Sequence, residues 1–282
     1  MAEDNGNVPS SSSLAAHGLE VDTITIVQAG ANEDAPPAHA ERRIDRVLLL
    51  VAMEAEALPM VERLGLVKDD TLIASPAPCV TYVSHDGRIC LTYYGKCPNT
   101  GVCSVGTAPA ALYSYLAIQA FKPDLVISTG TAGGFRARGA AIGDVFVASV
   151  TVNHDRRIAI PGFDAYGIGK LCCVTAPRMR KDLKLKIGCC SSGNSLDWHD
   201  MDMKLMLEHE AAVKEMEAAS VAWVSSMFGT PLMCVKAITD IVDGDQPAHE
   251  EFLSNLAAAA AALQGVVPSV VEYVMGKQIK DL

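Results

Sequence analysis

The chain has 282 residues, half of them hydrophobic, and a formal net charge of −10. That is material for one large α/β domain or two small ones, and an acidic chain without a basic stripe argues against nucleic-acid binding. No apolar run approaches the roughly 20 residues that span a bilayer, and the alanines at 257–262 read as helix core, so no membrane partner is expected.

The start, Met1-Ala2-Glu3-Asp4, is acidic and lacks the apolar stretch of a secretory signal, and acids continue to Asp34, unlike a transit peptide. Residues 1–43 are rich in Ser, Ala, Pro and acids and read as a mobile tail. A weak alternation at 21–27 offers a docked extra strand as the other reading. The nine cysteines, with vicinal pairs at Cys172-Cys173 and Cys189-Cys190, show neither CxxC nor zinc-ligand spacing. They read as reduced core thiols of a cytoplasmic protein, with no metal.

Residues 46–53 form a continuous apolar run, the pattern of a central strand buried on both faces. Glu54-Ala55-Glu56-Ala57 then opens a helix to about Leu64, closed by Gly65. Residues 79–84 and 89–94 flank His85-Asp86-Gly87-Arg88, a hairpin signal. Helical apolar spacing runs over 102–121, and Pro123 closes it. Residues 124–128 read as another buried strand, exiting into Gly130-Thr131-Ala132-Gly133-Gly134. These glycines lack GxGxxG spacing, so no dinucleotide site is expected. They admit a ligand close to the backbone, or simply make a tight strand exit.

A strand over 143–152 leads into Asn153-His154-Asp155-Arg156-Arg157 and a long polar loop. His154 beside Asp155 reads as a hydrogen-bonded loop or an interface in preference to an acid–base pair. Residues 183–190 are a strand meeting a polar loop at 191–197, and 199–209 a helix whose methionines pack in a core. Glu215 and Glu217 precede a helix over 218–228, where acids would complement the helix dipole. Residues 232–235 read as a short buried strand with Asp240 just past its carboxyl end. There Asp240 either caps the helix that follows or serves as a proton donor in a half-apolar setting. A last helix spans about 248–274.

Strands alternating with helices predict an α/β fold with a mostly parallel, helix-flanked sheet. Ligands of such sheets bind outside the carboxyl ends of the strands. Three strand exits carry acids, Glu54/Glu56, Glu215/Glu217 and Asp240/Asp243, and a fourth carries the glycines. There is no HxH or HExxH metal spacing and no GxSxG elbow. Paired carboxylates without metal or nucleophile point to cleavage of an acetal-like bond through a cationic transition state.

Four stretches in order carry a resemblance: residues 52–56, 129–134, 215–219 and 237–240. Together they resemble the 5′-methylthioadenosine/S-adenosylhomocysteine nucleosidases of the purine nucleoside phosphorylase/uridine phosphorylase superfamily, over about 47–274. His154-Asp155-Arg156-Arg157 and Val242-Asp243-Gly244-Asp245 are similar to the plant branch. The resemblance implies a single three-layer α/β/α domain over 44–282 with a central mixed, mostly parallel sheet. It implies hydrolysis of 5′-methylthioadenosine to adenine and 5-methylthioribose in methionine salvage, with no cofactor. S-adenosylhomocysteine stays open as a second substrate.

By the same resemblance Asp240 is the general acid at adenine N7, Glu56 activates the attacking water, and Glu217 binds the ribose hydroxyls. Met216 packs on the sugar. Thr131, Lys214 and Glu215 line the nucleoside site, Leu196 flanks the adenine, and Thr239 orients Asp240. The His154 loop is expected near a partner subunit's site, implying a homodimer. Two residues depart from the family pattern: Asn194 stands where Asp is usual, and Leu196 where bacterial members carry an aromatic residue. Two alternatives stand beside this reading. A nucleoside phosphorylase would need cations at the first strand exit, where no Arg precedes Arg63. A non-catalytic storage protein would be expected to lose the acids.

Overall fold

The computed structural model describes residues 39–73 and 76–282. The expected tail to residue 38 and the strand at 21–27 lie outside the described residues. Residues 40–43 are not free of the domain: Ile279 donates to Arg42 O at 3.1 Å, Lys280 to Ala40 O at 3.0 Å, and Arg43 bridges Gln278.

The first strand, β1 (Val47–Val51), is buried along its whole length. Its residues alternate between two cores. Val47, Leu49 and Val51 meet α1 (Glu54–Leu64) and the last helix, α7 (Ala248–Val274). Leu48 and Leu50 face α2 (Thr107–Phe121) and α6 (Ala218–Met227). Each such side chain contributes about 1.5–3 kcal/mol relative to exposure, so a run apolar at every position is what a strand between two helical layers requires. The result is the expected three-layer α/β/α arrangement.

The other strands are β2 (Val67–Lys68), β3 (Val80–Val83), β4 (Ile89–Tyr93), β5 (Leu125–Gly134), β6 (Val145–Asn153), β7 (Leu171–Cys172), β8 (Lys186–Ser192), β9 (Ala211–Glu215) and β10 (Leu232–Ile241). Short helices α3 (Asp164–Ile168), α4 (Pro177–Leu183) and α5 (Asp200–Glu208) complete the fold. Among the described residues the strands form one ten-stranded mixed sheet, ordered β10-β6-β8-β9-β5-β1-β4-β3-β2, with β7 on β6 and a further β10–β5 pairing. The parallel pairings carry the long ladders, β4–β1–β5–β10 and β6–β8–β9. The antiparallel ones are short joins, among them β5–β9 through Gly133 and Gly134.

The structure corrects several expected boundaries. The helix over 102–121 starts only at Thr107, because Gly106 sits at φ +101° and breaks the helical path. The strand over 124–128 runs on through the glycines to Gly134, and the strand over 232–235 runs to Ile241. Thr131 and Asp240 are therefore strand residues, not exit-loop residues. The strand over 183–190 starts at Lys186, after α4, and includes Ser191 and Ser192. Polar or glycine residues suggested an end to each strand; in β5 and β10 they line a cavity instead, and in β8 Ser191 and Ser192 are buried against His154 and Glu215.

The final helix has the expected bounds, Ala248–Val274. It is 27 residues long, and its most apolar 18-residue stretch has a mean hydropathy of 1.4, enough by length and composition to cross a bilayer. One face, Ala259, Leu263, Val267, Val270, Val271 and Val274, packs into the core beside β5 and β10.

Candidate active site

The parallel ladder β1–β5–β10 delivers three chain segments to one end of the sheet. β1 hands over to α1 two residues before Glu56, β5 passes with its glycines, and β10 carries Asp240. The antiparallel join of Gly133 to Lys214 adds β9 and the residues that follow it. Between these segments lies a cavity of about 260 Å³. All nine sequence-derived candidates, Glu56, Thr131, Leu196, Lys214, Glu215, Met216, Glu217, Thr239 and Asp240, line it.

Glu56 is 2 % exposed. Its carboxylate accepts from Thr131 N–H and Thr131 Oγ1, both at 2.7 Å, and from Met53 N–H at the helix start, at 3.2 Å. Burial pushes its pKa up, against the Thr131 donors and the Lys236 charge. Asp240 is 5 % exposed, and burial raises it too, with Glu251 adding to the rise. Thr239 Oγ1 donates to Asp240 Oδ1 at 2.7 Å, with Ala132 O a second acceptor at 3.2 Å, and Lys214 opposes the rise.

The glycines of β5 explain how both carboxyls fit. A Cβ on Gly130 would lie 3.2 Å from Glu56 Oε1, and one on Gly133 would lie 2.6 Å from Asp240 Oδ2. Those two glycines are three residues apart, about 10 Å along a strand. The two carboxyls thus flank β5 at separate points.

The remaining acids divide by role. Glu215 is committed to the protein: it pairs with Lys236 at 2.9 Å, accepts from Ser192 Oγ, and takes the Glu217 and Ala218 N–H groups at the start of α6. Burial would raise its pKa, but Lys236 and these donors outweigh that and hold it low. Glu217 accepts from Gly106 N–H at 2.8 Å. Burial and the neighbouring Glu215 charge push it up to about 7. Two carboxyls two residues apart are thereby driven in opposite directions, one fixed as an anion, the other poised near neutrality.

Sequence reasoning assigned no role to Lys236. It is 2 % exposed and lines the cavity, and although burial disfavours its charge, Glu215 raises its pKa so that it stays an ammonium. The signal was present: a lysine inside an otherwise apolar run needs a buried anion. Phe252 of α7 and Tyr94, also lining the cavity, carried no such signal.

Asn194 lies outside the cavity. Its side chain accepts from Thr107 N–H and Oγ1 at 3.0 and 2.8 Å and donates to Asp155 Oδ2 at 3.0 Å. Asp155 and His154 do not bond each other: His154 Nδ1 meets Ser191 Oγ at 3.0 Å, and burial drops its pKa to about 4. They belong to a hydrogen-bonded loop. Among the described residues no group of three or more His, Cys, Asp or Glu could hold a metal.

The chain is similar to known proteins. The phosphorylase superfamily model matches residues 46–272. A 5′-methylthioadenosine nucleosidase of Arabidopsis thaliana is 45 % identical over 244 residues, 86 % of this chain and 91 % of that protein. A 5′-methylthioadenosine/S-adenosylhomocysteine nucleosidase of the same plant is 42 % identical over 86 % of this chain and 96 % of its own. The solved apo structure of the Arabidopsis 5′-methylthioadenosine nucleosidase superposes with a TM-score of 0.83 at 44 % identity, covering 86 % of this chain and all (100 %) of that one.

Proposed function

This chain belongs to the phosphorylase superfamily and, within it, to the 5′-methylthioadenosine nucleosidase family, and from that premise we propose that it hydrolyses 5′-methylthioadenosine to adenine and 5-methylthioribose in methionine salvage. Asp240, its pKa raised by burial, donates a proton to adenine N7. The C1′–N9 bond breaks with its electron pair going to the purine. Water adds to C1′ from the other face as Glu56 takes its proton. Thr131 holds the Glu56 carboxylate for that step. Glu217 accepts from the ribose hydroxyls, and its negative charge, when it is ionised, favours the oxocarbenium-like transition state. Met216 packs on the sugar and Leu196 on the base.

The observation that carries this reading is two buried carboxyls with raised pKa on one nucleoside-sized cavity whose cations are already engaged. Lys236 is paired with Glu215, and Lys214 with main-chain carbonyls. Lys236 is thereby neutralised and Lys214 has two of its three donors occupied, and Glu56 at the first strand exit repels phosphate, so water is the favoured nucleophile over phosphate. The test is turnover of methylthioadenosine in phosphate-free buffer. Adenine release at the same rate with and without phosphate supports hydrolysis; a strict phosphate requirement overturns it.

The reading extends to a homodimer. Leu112 and Tyr115 of α2 and Met227 of α6 are exposed, and Tyr115 packs against Phe228 in a tilted arrangement at a centroid distance of 5.2 Å. A second copy is the proposed cover for that apolar face. It also extends to a cytoplasmic setting, which the buried thiols of Cys90, Cys189, Cys190 and Cys234 favour.

A further inference from the structure

Lys214 lies buried in β9, yet among the described residues its ammonium donates to no carboxylate. Nζ donates to the main-chain carbonyls of Ser195 at 2.7 Å and Leu196 at 2.8 Å. Both belong to the segment between β8 and α5, which covers the cavity with Leu196. That segment has little packing of its own: Leu196 is 43 % and Trp198 42 % exposed. It is anchored before Lys214's contacts by Asn194, on Asp155 and Thr107, and after them by His199 N–H on Asp202 at 3.0 Å. Between those anchors the Lys214 ammonium is what holds the main chain, among the hydrogen bonds of the described residues.

We propose that Lys214 is a positioning residue that latches the 195–196 segment over the cavity and is the cation that faces Asp240 across Gly133, with which both residues pair in the sheet. This rests on the nucleosidase reading for the identity of the substrate and of the acid. Burying an ammonium is unfavourable unless it is well bonded. Burial does lower the Lys214 pKa, and the charges facing it, Asp240 on β10, Asp197 in the segment, Glu215 on its own strand and Asp202 on α5, hold it up. Asp240 in turn faces Lys214 from β9, Glu251 from α7 and Thr239 on its own strand. Of these Lys214 is the cation, so it favours the Asp240 carboxylate. Removing the charge raises the acid's pKa and extends proton donation to higher pH.

Two variants of the full chain separate latch from charge. Lys214→Met removes both donor and charge; Lys214→Gln removes the charge and keeps an N–H able to reach a carbonyl. In Lys214→Met, amide hydrogen exchange at 195–198 is expected to quicken in the unliganded protein. KM for methylthioadenosine should rise about tenfold or more, the scale of a lost charged hydrogen bond, with kcat little changed. In Lys214→Gln the exchange and KM effects should be smaller. In both, the alkaline limb of kcat/KM should move up by about half a pH unit or more. Unchanged exchange and KM in Lys214→Met overturn the latch; an unmoved or lowered limb in both overturns the electrostatic role. If Lys214→Met does not fold, Lys214→Gln decides the limb shift. A wild-type chain that fails to cleave the nucleoside sinks the functional reading instead, and the exchange measurement still judges the latch.

Discussion

At the scale of single residues, the cavity is a set of carboxyls held in different protonation ranges. Asp240 is given the acid's role, so Asp240→Asn, which keeps the shape and the Thr239 contact, should lower kcat by about 100- to 10,000-fold while circular dichroism and melting stay near wild type. Glu217 offers a second test through stability. Its folded pKa, about 7, is raised above the usual glutamate value of 4.5. A raised carboxyl favours the fold when protonated, and that contribution is present below about 4.5 and lost as pH rises through about 7. Glu217→Gln should therefore raise the melting temperature of the empty protein at pH 8 and change it little at pH 4, while weakening nucleoside binding. The acids were legible in the chain because carboxylates beside apolar runs stand out. Lys236 was as visible, but its partner Glu215 is 21 positions away in sequence (236 − 215) and is met only in the folded sheet.

At the scale of elements, β5 and β10 are the pair on which the site is built. They run parallel through nine matched positions, with a register shift between Ile238 and Asp240 that turns the acid toward Gly133. Gly133 is bare because anything larger meets Asp240 Oδ2 at 2.6 Å and Val242 Cγ2 at 2.7 Å. Gly133→Ala should displace the acid and lower kcat strongly, as read by turnover, whereas a merely structural glycine would lower only the melting temperature. Gly265 is the contrast. It sits on an exposed part of α7, and an added Cβ there would meet nothing within 4 Å. Gly265→Ala should stabilise the protein by about 0.5–1 kcal/mol, measured by denaturant unfolding, with turnover unchanged. Strand existence was readable from apolar runs, and strand length was not. In both β5 and β10 a polar or glycine-rich second half imitates a loop, since sequence alone does not distinguish a residue facing water from one facing an internal cavity.

At the scale of the whole molecule, the sheet gathers β1, β5, β9 and β10 into one end although the chain visits them in scattered order. The α2–α6 layer leaves its apolar outer residues bare. If a second copy covers them, light scattering should give twice the mass of one chain, and Leu112→Glu combined with Met227→Glu should shift the protein toward monomer. An unchanged dimer in that double variant would place the contact elsewhere.

The sequence by itself determined which segments are buried strands, which acids stand beside them, and, by four motifs in order, the family. Those are local properties: apolar runs, glycine placement and motif spacing survive being read one residue at a time. Only the tertiary structure decided that Glu215 is spent on Lys236 and α6 while Glu217 is left poised, that Asp240 lies within a strand, and that Lys214 holds a loop. Each of those depends on which charge or donor lies across a gap in low-dielectric surroundings, and that is a matter of distance in space, which the linear order of residues does not carry.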